Sequence, residues 1–121
     1  MKNIFVSIDL ETTGFDPQRD KIIEVGAVKF KNNTVLEKLS ILVNPMQIIS
    51  QEISDLTGIN QNELNSAKQW TDVKDEVVNF IDNYPIIGHN VNFENQFLRE
   101  NDINIVESFD TLSLARILLP N

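Results

Sequence analysis

Residues 3–10, NIFVSIDL, make a nearly unbroken apolar run that a soluble chain must bury. A short run of this kind, rich in Ile, Val and Phe, predicts a central strand buried on both faces. The run closes on two acids, Asp9 and Glu11, where a charge at the margin of a core is costly unless it is paired or bound to a cation. Those two demands, a buried strand and acids at its end, constrain the fold more than any other stretch.

The rest of the chain supplies partners for that strand. After a loop containing Gly14, Pro17 and Asp20, KIIEVGAVKF predicts a second strand and TVLEKLSILVN a third. Asn32 and Asn33 lie between them and tolerate the positive φ of a tight turn, so the pair reads as a hairpin. Pro45 ends the third strand. Ser50 is placed to cap a short helix, QEISDLT, that Gly58 terminates, and Asn60 with Glu63 forms the start of another. Trp70, Val73, Val77, Phe80 and Ile81 follow at helical spacing and predict a helix over 71–83 whose apolar stripe is core. Pro85 and Gly88 bracket a very short strand, a helix begins near Asn92, and a further short strand lies near IVESF. Asp110 then reads as the N-cap of a last helix, DTLSLARILLP. A hairpin of strands followed by strands alternating with helices defines an α/β domain with a mixed five-stranded sheet and flanking helices.

Composition narrows the chemistry. The 121 residues amount to one domain and contain no cysteine, which excludes disulfides and thiolate metal sites. Any metal must sit on oxygen ligands or on His89, the single histidine, so hard cations are favoured. The formal net charge of -8 argues against a broad electrostatic grip on nucleic acid but is compatible with a site that admits only a strand end. The chain has neither a membrane-length apolar run nor a signal-peptide pattern, and a cytoplasmic location is the default expectation.

Asp9 and Glu11 stand at i and i+2, so in extended chain both carboxylates leave the same face of the strand end. Without a cation they repel and one pKa rises. Mg²⁺ or Mn²⁺ removes the conflict, and two such ions roughly 4 Å apart can clamp the attacking and leaving oxygens of a phosphodiester. By itself an Asp-x-Glu of this kind ordinarily means no more than a turn cap at Asp9 and a solvated acid at Glu11, and only the wider context points to a metal.

DLETTG after an apolar strand, then KIIEVGAVKF, LTGI at 56–59, GHNVNFENQFL at 88–98 and FDTLSLARILLP together resemble the DEDD-type 3′–5′ exonuclease family in order and spacing. The proofreading subunits and domains of bacterial DNA polymerase III, and exonuclease domains joined to helicases, are the similar members. The resemblance implies a ribonuclease H-like fold over 1–121, and Mg²⁺- or Mn²⁺-dependent hydrolysis of single-stranded nucleic acid, DNA above all, from its 3′ end. A polymerase or helicase partner is implied with it. Asp9 and Glu11 then occupy the first motif's metal positions, and Glu94 stands where the second motif has Asp. Leu10, Thr12, Thr13 and Gly14 would line the mouth for the terminal nucleotide, with turn chemistry as the alternative for the threonines. Leu56 and Phe93 would press on bases or serve as ordinary core, and His89 and Asn90 in the GHN turn would contact substrate.

The resemblance also sets an expectation of incompleteness. The family's third motif, a His or Tyr with a fourth Asp on a C-terminal helix, has no counterpart after His89, and Asp110 reads as a cap. A C-terminally truncated domain is therefore expected, slow or inactive alone, or else a non-catalytic relative that binds nucleic-acid ends or proteins. Self-association through a sheet face left uncovered, with DTLSLARILLP as the docking element, is the expected physical consequence.

Overall fold

The computed structural model describes residues 3–110. Strand β1 (Ile4–Thr12) forms the middle of the sheet, whose order is β3-β2-β1-β4-β5. Strands β2 (Ile22–Lys31) and β3 (Thr34–Leu42) make the expected antiparallel hairpin, turning at Asn32, whose φ of 55° is the left-handed conformation an Asn tolerates. On the other side, β4 (Ile86–Gly88) and β5 (Ser108–Asp110) run parallel to β1. Parallel neighbours need crossovers. Helix α3 (Trp70–Ile81) precedes β4, and helix α4 (Val91–Glu100) links β4 to β5.

The caps read from sequence organise the segment between. The Ser50 side chain accepts from the Ile53 N–H at the start of helix α1 (Gln51–Thr57), and Gly58 ends it with φ 76°. Asn60 and Glu63 complete a reciprocal capping box on helix α2 (Gln61–Asn65).

Val6, Ile8 and Leu10 of β1 pack with Val73, Val77, Phe80 and Ile81 of α3 and with Phe97 and Leu98 of α4 in the main core. A smaller cluster of Ile23, Ile49, Ile59 and Leu64 anchors the α1–α2 segment. The expectation that β1 is buried on both faces is corrected here. Ile4, Val6, Ile8 and Leu10 are buried, whereas Phe5, Ser7 and Glu11 on the alternate face are half-buried and Asp9 is exposed. The period-2 pleat divides the apolar run between a dry face and a wetter one that carries the acids. Asp110 closes β5, pairing with Gly88 at the end of β4, and its expected role as an N-cap turns on the residues that follow it. The helix expected from DTLSLARILLP lies outside the described residues.

Candidate active site

The site begins where β1 leaves the core. Leu10 is buried on the dry face, and its neighbours Asp9 and Glu11 therefore emerge together on the other. A register shift between Glu11 and Thr12 in the pairing with β2 then ends the regular ladder and bends the chain into the loop. Within that loop the Thr12 hydroxyl donates to the Gly14 carbonyl at 2.6 Å. The Thr13 hydroxyl donates to Asp20 at 3.4 Å and accepts the Lys21 N–H at 2.9 Å. The Asp20 carboxylate also accepts the Asp16 N–H at 2.9 Å. A side chain at position 14 would collide with that carboxylate, so the glycine is required by close approach.

Helix α4 brings the third acid. Glu94 sits in its first turn, 5% exposed, with its carboxylate accepting the Leu10 N–H. At position 88 the fit is tight as well: a Cβ there would lie 3.3 Å from Glu94 Oε1 and 3.2 Å from the Val91 Cα. Burial, and next the charge of Asp9, push the Glu94 carboxyl up to about 7 against the pull of the backbone N–H donors. Burial likewise raises Glu11, helped by Asp9 and by Glu24 across the β1–β2 pair. Two acids with raised pKa values around an exposed third describe a place short of positive charge.

These side chains line one cleft of about 360 Å³, together with Leu10, Thr12, Gly14, Phe15, Ile53, Leu56, Thr57, Asn90 and Phe93. Of the residues expected from sequence, Asp9, Leu10, Glu11, Thr12, Gly14, Leu56, Asn90, Phe93 and Glu94 are brought together. Thr13 serves the loop, and His89 is exposed in the turn before α4, outside the cleft lining. Sequence reasoning missed Phe15, Ile53 and Thr57. Phe15 is 86% exposed and meets Phe93 edge to face at 6.3 Å, while Phe93 leans on Phe97 at 4.9 Å. Leu56 faces this aromatic wall from α1, 73% exposed. The cleft thus has an acidic floor and apolar sides. Among the described residues no three Asp, Glu or His side chains are already closed around a point that could hold an ion. The donor set is nonetheless all-oxygen, anionic and partly dry, which suits a hard cation that keeps some of its water.

A family profile described as RNase_T, Exonuclease, matches residues 6–120. A PolC-type DNA polymerase III from Thermotoga petrophila is 39% identical over 95% of this chain, which spans 9% of that protein. The 3′-5′ exonuclease DinG of Bacillus subtilis is 33% identical over 98% of the chain and 14% of its own length. The chain therefore spans only a small part of these relatives. Among solved structures, E. coli exonuclease I in complex with an oligonucleotide superposes with a TM-score of 0.79 at 18% identity, covering 99% of this chain and 30% of that one. That likeness establishes the mixed-sheet exonuclease fold.

Proposed function

Because this chain belongs to the RNase_T exonuclease family, we propose that it hydrolyses phosphodiester bonds at the 3′ end of single-stranded nucleic acid, DNA above all. The observation that carries the proposal is the convergence of Asp9, Glu11 and Glu94 on the floor of a cleft with apolar walls. The names of the relatives, a polymerase and a 3′-5′ exonuclease, agree with it and point to a replication or repair setting.

Asp9, Glu11 and Glu94 would hold Mg²⁺ or Mn²⁺, which supplies Lewis acidity to the phosphate and lowers the pKa of attacking water. Glu94 is held by the Leu10 N–H in space that the glycine at 88 leaves free, so its position is set before substrate arrives. Leu56, Phe15 and Phe93 offer surfaces on which the terminal bases stack and wedge, a sequence-tolerant mode of binding. The raised Glu11 and Glu94 are held ready to ionise when a cation enters. Water adds to phosphorus, the 3′ oxygen of the penultimate nucleotide leaves, and a nucleoside 5′-monophosphate is released.

One observation favours a second reading. Among the described residues neither a histidine nor a tyrosine lines the cleft, and a positioned base typically contributes ~10²–10⁴-fold to rate. A module that binds strand ends without turning them over would have this cleft. Incubation with a 5′-labelled single strand and Mn²⁺ separates the two readings. A ladder shortened from the 3′ end, lost in Asp9→Asn, supports the exonuclease. Retention of the strand without shortening supports the binding module. Neither shortening nor retention overturns both.

A further inference from the structure

The outer edge of β3 has no role in the cleft. Among the described residues β3 is the last strand of the sheet on its side, and over Thr34–Val35–Leu36–Glu37–Lys38 every residue is exposed. Its regular part is Glu37–Leu42, because the pairing with β2 shifts between Lys29 and Phe30 and leaves Leu36 as an extra residue. An unpaired edge of this length is a template for another strand. We propose that this edge pairs antiparallel with the same edge of a second copy of the chain, with the two-fold axis at Ser40.

The choice of a second copy follows from charge and register. The chain carries a net charge of -8, so copies repel over most of their surface, yet β3 has one Glu and one Lys and is neutral. A two-fold axis perpendicular to a sheet leaves every side chain on its own face, so the residue on the axis must face its own copy. Placing Glu37 or Lys38 there sets like charges opposite each other. Placing Leu39 there sets the Glu37 side chain against Ile41 of the second copy. With Ser40 on the axis, hydroxyl meets hydroxyl, Leu39 meets Ile41 of the second copy, and the exposed Lys38 lies beside Leu42, its stem covering the leucine while its ammonium reaches water, each pair twice by symmetry. Leu39 and Ile41 already pack against the main core, so these pairs would continue that core across the joint. Glu37 stays in its ion pair with Lys29, at 3.3 Å. Because β3 runs in the direction of β1, the two clefts would open at opposite ends of the joined sheet.

Sedimentation velocity on the whole chain over a wide concentration range tests the pairing, with circular dichroism to confirm that each variant folds. Ser40 is exposed, so Ser40→Lys and Ser40→Glu preserve the monomer. Each alone sets like charges on the axis and should weaken the dimer about two- to fivefold, and an equal mixture of the two should restore it. A monomer at every concentration overturns the proposal, as does a dimer that neither variant weakens. Tighter association of Ser40→Glu alone would overturn the Ser40 axis, because the glutamate would then be facing Lys38.

Discussion

Glu94 has only 5% of its surface exposed, and the proposed function requires it to act as an anion beside Asp9 and Glu11. Its pKa in the folded, metal-free protein is raised from 4.5 to about 7, so the folded state binds this proton more tightly than the unfolded chain does. The stabilisation this provides is complete below pH 4.5 and is lost as pH rises through 7. Glu94→Gln keeps the size and an oxygen for the Leu10 N–H while removing the charge. It should raise the stability of the metal-free protein at pH 8 by about 3 kcal/mol, with much less gain at pH 5, as thermal melts in chelator would record. The same variant should lose exonuclease activity by more than the ~10–100-fold typical of residues that only support a metal ligand, whereas Glu94→Asp should retain turnover. Equal activity in all three proteins would reduce Glu94 to a helix-start acid. The two acids of β1 were legible in the sequence because i, i+2 spacing in a strand fixes their common direction. Phe15 was not, because an aromatic after a Thr-Thr-Gly turn follows no period, and only the folded loop brings it to Phe93.

Helix α1 carries Ile53, Leu56 and Thr57 to the cleft, yet none of its residues is buried. Its position rests on Ile53, which packs on the cluster of Ile23, Ile49, Ile59 and Leu64, and on the caps at Ser50 and Gly58. An alanine at Gly58 would have to take up φ 76°, and Ser50→Ala would leave the Ile53 N–H without its acceptor. Each should cost about 1 kcal/mol of stability. In the exonuclease assay both should raise KM with kcat nearly unchanged, since the acids lie on other elements; a fall in kcat with constant KM would contradict that division. These caps were readable from the sequence because capping depends on side chains within a few residues of the helix end. The limits of β5 and the half-wet face of β1 were not, because both depend on which strand lies alongside. Gly88 pairing with Asp110 and the pleat sharing out NIFVSIDL are facts of the sheet rather than of the segment.

At the scale of the whole molecule, an acidic protein that binds an anionic polymer must confine attraction to the cleft. With few phosphates engaged, affinity for a single strand should fall only gently with salt, by a log–log slope of about -1 to -2, since each phosphate on a single strand contributes about -0.7. A slope as steep as those of basic DNA-binding proteins would place the contact surface elsewhere. The sheet order also sets how firmly the acids and the apolar wall of the cleft are held. Asp9 and Glu11 stand on the strand bonded on both sides, while Leu56 rides on a short helix with no fully buried residue. Deuterium from solvent should reach the amides of α1 within brief, local openings and those of β1 only when the whole fold comes apart. The acids would then keep one arrangement while the wall opens and closes, so under the proposed function successive nucleotides could be admitted and released past groups that stand still.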